Sequence, residues 1–180
     1  RINMDLANSL GNLLNRTVSM INKYFNGLIP AYRGKITAFD EDLEEICEKS
    51  IKNYEANLDD LKVTDAIIAA NEIVLRANKY IDETMPWALA KDPEKQKDLA
   101  SVMNHLANAI FISGMLLKPV LVTASDKLFD QLGLSKELRK YENVYSFGII
   151  GDIKVNKGEQ LFPRLDALIE VPLIQEMMKK

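Results

Sequence analysis

Two small groups of residues in this 180-residue chain have the types and spacing to do chemistry. Asn12 and Arg16 stand four apart, which on a helix sets their side chains one above the other. A planar amide beside a guanidinium offers donors and acceptors for the edge of a base, and a flat cation for stacking or for a phosphate. Asn8, Ser19, Asn22 and Lys23 would extend that polar ridge. An ordinary solvated helix face has the same look. Trp87, the only tryptophan, follows Pro86 in the stretch ETMPWALAKD, at a junction and not within a periodic apolar stripe. It either plugs the end of a helical core, as indoles commonly do, or is presented by the rigid proline as a platform for an unpaired base, a contact of about 1–3 kcal/mol.

Catalytic and metal chemistry find no such footing. One histidine excludes paired-histidine mechanisms, and with one cysteine it leaves no zinc set. His105 lies between Met103 and Leu106 on a long apolar stretch and reads as structural or as surface. Cys47 falls on the inner side of a helix and reads as a buried, inert thiol. The glycines of GIIGDIKVNKG lack the strand–loop–helix setting of a phosphate loop. Acids are plentiful, yet no pair stands apart from a solvated face. No catalytic residues and no metal ligands are expected within these residues.

Helical periodicity supplies the elements that must carry the two groups. From Asn3 to Phe25, Leu6, Leu10, Leu13, Thr17, Met20, Ile21 and Tyr24 share a face opposite Asn12 and Arg16, and Gly27 and Pro30 close the helix. A second helix spans Asp40 to Leu61, with Leu43, Ile46, Cys47, Ser50, Tyr54, Leu58 and Leu61 inward and acids outward. A third, capped by Thr64 or Asp65, buries Ile67, Ala70, Val74, Ala77 and Ile81 and stops before Pro86. Asp92-Pro93-Glu94 starts a fourth, with Leu99, Val102, Met103, Leu106, Ile110 and Leu117 inward, ended or kinked by Pro119. A further helical stretch covers 120–132, stopped by Gly133. The fold class expected is all-α, an antiparallel helical bundle over 1–145, followed over 146–180 by a short irregular tail and a final helix at about Val171 to Lys179.

Composition agrees. Hydrophobic residues make up 47% and charged residues 27%, ordinary for a globular chain long enough to bury a core without staples. No apolar run is expected to reach the roughly 18–20 residues of a membrane span, and no signal peptide is visible. The low cysteine count suits a reducing, cytoplasmic setting. The absent initial methionine suggests a piece of something longer. Net charge is −3, but unevenly spread. Residues 1–37 carry Arg1, Arg16, Lys23, Arg33 and Lys35 against Asp5 alone, whereas 40–62 carry nine acids against three lysines.

Four stretches, DLANSLGNLLNRTVSMINKYFNGLIP, ANKYIDETMPWALAKD, LASVMNHLANAIFISGMLLKPVLVTASDKLFDQLG and LFPRLD, resemble in order the C-terminal part of the bacterial-type methionyl-tRNA synthetase family. The resemblance implies a helical domain that reads the C-A-U anticodon of methionine and initiator tRNAs. The family's anticodon asparagine and arginine would fall on Asn12 and Arg16, and its stacking tryptophan on Trp87. Asn78 and Asp82 would support the contact and Pro86 would shape the turn. The ATP-site signatures and zinc-knuckle cysteines of the family are missing, so tRNA binding without aminoacylation is implied for this chain. ATP and methionine, with zinc in some members, would serve the full-length enzyme. The tail from about Tyr145 would return toward the catalytic domain, its second partner, leaving Phe147, Ile149, Ile150 and Phe162 as an exposed apolar face. No membrane partner is implied, and the cytoplasm is the expected location. Two alternatives stay open: the anticodon domain of another class I synthetase, or a helical protein-interaction module working through its acidic second helix.

Overall fold

The most apolar segment organises the molecule. The computed structural model describes residues 9–162 together with 171, 172, 175, 177 and 178. Among these residues lie six α-helices: α1 Asn12–Phe25, α2 Asp40–Asp59, α3 Val63–Thr84, α4 Pro86–Leu89, α5 Gln96–Leu117 and α6 Val122–Gln131. Helix α5 is buried on every side from Ser101 to Leu117 and packs against α1, α2, α3, α4 and α6. A helix apolar all round belongs in the middle of a bundle. Contrary to the expectation from sequence, Pro93–Leu117 is long and apolar enough to cross a membrane, but it is the core helix, with 94% of its most apolar window buried.

Helices α2 and α3 form an antiparallel hairpin on one side of α5, joined by a short turn in which Leu61 takes a positive φ of 61°. The stripe of α2 therefore ends early. Leu61 is 87% exposed, because the helix ends at Asp59; Leu58, in the last turn of α2, is exposed as well. Helix α3 starts at Val63 with no side-chain cap. Its first backbone bond, Ala66 N–H to the Lys62 carbonyl, puts Thr64 and Asp65 inside the first turn. The expected stripe of α3 is otherwise found, with Ile67 half-buried at its edge. Asp92 accepts the Glu94 N–H at 2.9 Å and opens a short 3₁₀ turn that runs straight into α5.

Helix α1 is preceded by a wide turn over Ser9–Gly11; Leu6 and Asn8 lie outside the described residues. Leu10, Leu13, Leu14, Thr17, Val18 and Ile21 are buried, and Met20 and Tyr24 pack at the edge. Deleting part of one such side chain costs about 2–5 kcal/mol, which is what holds the opposite ridge in place.

The tail does not present the apolar face expected of it. Ile150 is fully buried, and Phe147, Ile149 and Phe162 pack against the core. Two asparagines of α5 cause this. Asn108 Oδ1 accepts the N–H groups of Gly148 and Ile150 at 3.1 and 3.0 Å. Asn104 Nδ2 donates to the carbonyls of Pro30 and Ile150, both at 2.7 Å. The amides act as pieces of backbone, so an irregular segment can lie on a helix without stranding its polar groups. An antiparallel bridge, Leu28 to Lys154, ties the tail to the turn after α1. Gly133 stands at φ +71°, and a Cβ there would collide with the Lys154 carbonyl, so only glycine fits. Val171, Pro172, Gln175 and Met177 are helical and Met178 is in a turn; residues 173, 174, 176 and 179 of the expected last helix, and residues 163–166 of LFPRLD, lie outside the described residues.

Candidate functional site

The sequence candidates occupy the outer side of α1 and the end of α3. Asn12 is exposed one turn before Arg16. The Arg16 side chain is 34% exposed, and its Nη2 stands 3.8 Å from Asp82 Oδ1, whose side chain is 73% exposed. This contact joins the ridge of α1 to α3. An open pair at that separation contributes little to stability. Its consequence is geometric: the guanidinium is oriented, yet most of its five N–H donors are uncommitted among the described residues.

One turn before Asp82, Asn78 donates its Nδ2 to the Val74 carbonyl at 2.9 Å. One of its two N–H donors is spent on its own helix, and its carbonyl oxygen accepts no hydrogen bond among the described residues. Between the two, Tyr80 points inward and donates to Asp40 Oδ1 at 2.6 Å, which fixes α3 about its axis. Helix α3 ends at Thr84, Met85 turns the chain at φ 44°, and Pro86 begins α4 in the position where its missing N–H costs nothing. Pro86 is buried, while Trp87 next to it is 43% exposed. The bundle-plug alternative for the indole therefore fails. The Ala88 and Leu89 N–H groups both return to the Met85 carbonyl, at 2.7 and 3.2 Å, so the backbone under Trp87 is fixed. Among the described residues the ring stacks on no other ring and under no cation.

The structure thus brings Arg16 and Asp82 into contact, with Asn12 and Asn78 each one turn away. Trp87 follows Asp82 by five residues, hence within about 19 Å along the Cα trace. Among the described residues these side chains stand on open surface. A hollow of about 530 Å³ opens instead between α2 and the tail, lined by Glu44, Glu48, Glu55 and Tyr145 among others. Small-molecule sites are usually concave, and the ridge of Asn12 and Arg16 is open to solvent.

Sequence reading missed a buried polar cluster beneath this surface. Asp40, expected among outward acids, is fully buried. Its carboxylate accepts from Ile36 N–H at 2.8 Å, Thr37 N–H at 2.9 Å, Ser101 Oγ at 2.7 Å and Tyr80 Oη, and from the Thr37 hydroxyl. Burial pushes its pKa up, but those hydrogen bonds outweigh burial and hold it below the usual carboxylate range. His105 is also fully buried. Its Nδ1 lies 2.9 Å from the Ser101 carbonyl oxygen and its Nε2 lies 2.8 Å from Glu44 Oε1. Tyr32 donates to the same Glu44 oxygen at 2.8 Å; burial and that carboxylate push the phenol up to about 12. The cluster is structural: it locks α2, α3 and α5 together. The only hints in the sequence were polar residues at inward positions of α5. Cys47 is buried as expected, and burial pushes its thiol well up. Among the described residues, no three metal-ligating side chains gather.

Comparison with known proteins shows the family. A family model for the anticodon binding domain of methionyl tRNA ligase matches residues 29–147, which leaves α1 outside the matched part. The methionine–tRNA ligase of Bacillus subtilis is 49% identical over 180 residues, covering 99% of this chain and 27% of that protein. The Listeria monocytogenes ligase is 50% identical over 182 residues, with the same coverage. The crystal structure of apo Mycobacterium tuberculosis methionyl-tRNA synthetase superposes with a TM-score of 0.85 at 27% identity, covering 92% of this chain and 34% of that one. The same enzyme bound by methionyl-adenylate gives 0.83. The chain spans about a quarter of the length of the curated relatives it matches.

Proposed function

The chain belongs to the family of anticodon-binding domains of methionyl tRNA ligase, and from that premise we propose that it reads the C-A-U anticodon of methionine and initiator tRNAs. The observation that carries this reading is the exposed indole of Trp87, on a hydrogen-bonded turn close in sequence to an Asp82 that contacts Arg16. Sequence-specific RNA recognition works mainly on bases splayed from their stack. On this reading the first anticodon base, a cytosine, leaves the loop and stacks on Trp87. Asn12 and Arg16 then meet its Watson–Crick edge. The arrangement rejects a purine by size and uracil by its reversed donor pattern. Asp82 holds the guanidinium in line, Asn78 offers its free carbonyl beside it, and Pro86 fixes the angle of the indole.

Within a longer protein the domain selects the tRNA for an ATP-dependent methionine–tRNA ligase, whose catalytic part lies elsewhere in the chain and takes methionine and ATP, with zinc in some members. The tail continues toward that part, and the site of action is the cytoplasm. The net charge of −3 allows only modest attraction to phosphates, so binding by this chain alone is weak with a shallow salt dependence. The relatives' names favour methionine over the other class I synthetases.

The test is a fluorescence-anisotropy titration of a C-A-U stem-loop. Arg16→Gln and Trp87→Ala each weaken binding by about 1–3 kcal/mol and leave the circular-dichroism melt unchanged. Equal affinity of the wild type and both variants overturns the reading.

A further inference from the structure

The polar stripe of α1 does not end at Arg16. Asn12, Arg16, Ser19 and Lys23 follow at intervals of four, three and four, so they share one helix face. Beside the later part of that stripe runs a groove of about 450 Å³. Asn15, Ser19, Asn22 and Lys23 line one wall, and Gln131 and Lys157 line the other. The second wall is built rather than loose. Asn156 donates its backbone N–H to the Gln131 carbonyl and its Nδ2 to the Asp130 carbonyl, both at 2.8 Å. Gln131 Nε2 donates to the Glu159 carbonyl at 2.9 Å. Lys157 is therefore carried between residues bonded to the end of α6. Gly158 lies so close to Gln131 that a Cβ would stand 2.6 Å from its Cγ. The two walls are tied by the Val155 N–H to the Gly27 carbonyl at 2.8 Å.

The chemistry of the lining is specific in what it offers. Lys23 and Lys157 have no ion-pair partner among the described residues, while the nearby Asp130 carboxylate is taken by Arg139 at 2.6 Å. The one further acid, Glu159, lies in the adjoining hollow with Lys127 and Lys157. Two ammonium groups with amides and a hydroxyl between them match the non-bridging oxygens and hydroxyls of a sugar–phosphate chain. Among the described residues no aromatic ring lines the groove, so they offer nothing there on which a base would stack. Lys23 lies seven residues beyond Arg16, about 10 Å along the helix, within reach of phosphates next to a base held at Arg16.

We propose that this groove is a second RNA site, which holds the sugar–phosphate backbone flanking the everted base and takes no part in reading sequence. It rests on the anticodon reading above. The experiment titrates the 180-residue chain with a C-A-U stem-loop, and with the same stem-loop changed at the first anticodon base, across a series of salt concentrations. The proteins are wild type, Lys23→Gln, Lys157→Gln, the double variant, and Lys49→Gln on the exposed face of α2. Each groove variant weakens both stem-loops by the same factor and keeps the ratio between them. Each lowers the slope of log affinity against log salt by about one, and the double variant by about two. Lys49→Gln leaves the slope as it was. Wild-type slopes in the groove variants, with the preference for C-A-U intact, overturn the groove and spare the anticodon reading. A changed ratio in the lysine variants also overturns it, because the lysines would then be reading bases. A wild type with no preference for C-A-U overturns the anticodon reading, and the groove falls with it.

Discussion

Removing the Asp40 carboxylate should loosen the helix that carries the site. Five donors converge on this fully buried group: two backbone N–H groups from the loop before α2, and hydroxyls from Thr37, Tyr80 of α3 and Ser101 of α5. In Asp40→Ala every one of them loses its acceptor. A stranded buried donor costs about 1–3 kcal/mol, and the two backbone N–H groups are half-buried, so water entering the void recovers part of the loss. The expected cost is about 3–5 kcal/mol, or roughly 6–20 °C in Tm at about 2–4 °C per kcal/mol. Asp40→Asn behaves differently. Its amide can turn its carbonyl toward Ile36, Thr37 and Ser101 and its NH₂ toward Tyr80 and Thr37, whose hydroxyls rotate to accept. Only the charge is lost, about 1–2 kcal/mol.

The pH dependence has a definite sign. The folded pKa of Asp40 is depressed, so its contribution is complete above the unfolded carboxylate range near 3.9 and is lost as pH falls through the lower folded value. The gap between wild type and Asp40→Asn in urea denaturation should stay level from pH 7 to about pH 5 and close only in stronger acid. An Asp40→Ala protein within 1 kcal/mol of wild type at pH 7 would refute the idea that this carboxylate ties α3 to α2 and α5.

Three further outcomes follow from the packing. Leu13→Ala, at a fully buried position on α1, should cost about 2–5 kcal/mol in chemical denaturation; an unchanged midpoint would mean that the ridge of Asn12 and Arg16 is not set by this face. Gly133→Ala combines a positive φ with a collision at the Lys154 carbonyl, so thermal melting should drop by several degrees and the tail should become sensitive to protease. Cys47, with its thiol buried and pushed toward the neutral form, should resist a thiol reagent at neutral pH until denaturant unfolds the chain. Rapid labelling of the native protein would show that α2 is not seated as described.

The helices were legible in the sequence because their stripes are long and their stops are chemically blunt: Gly27, Pro86, Asp92-Pro93 and Gly133 each act where sequence reasoning put them. The end of α2 was not, because Leu61 continues the periodic pattern after the backbone has turned away. Asp40 was misread for a physical reason. A carboxylate at the head of an acidic run looks solvated, and only the distant Tyr80 and Ser101 reveal that it is enclosed. The tail was misread in the same way, since Asn104 and Asn108 of α5 reach carbonyls 42 to 74 residues away. For the site, spacing alone set Asn12 over Arg16 and marked Trp87 as out of stripe. It could not choose between a plug and a platform; the exposure of the indole rules out the plug. Asn78 and Asp82 came from resemblance, and the Arg16–Asp82 contact gives Asp82 a physical task.

Because Trp87 is the only tryptophan, its emission reports on the proposed platform without a label. Titrating the chain with a C-A-U anticodon stem-loop should quench that emission saturably, with a midpoint matching the affinity found by anisotropy. A stem-loop altered at the first anticodon base should quench it far less at equal concentration. Binding of the C-A-U stem-loop with no change in indole emission would contradict base stacking on Trp87.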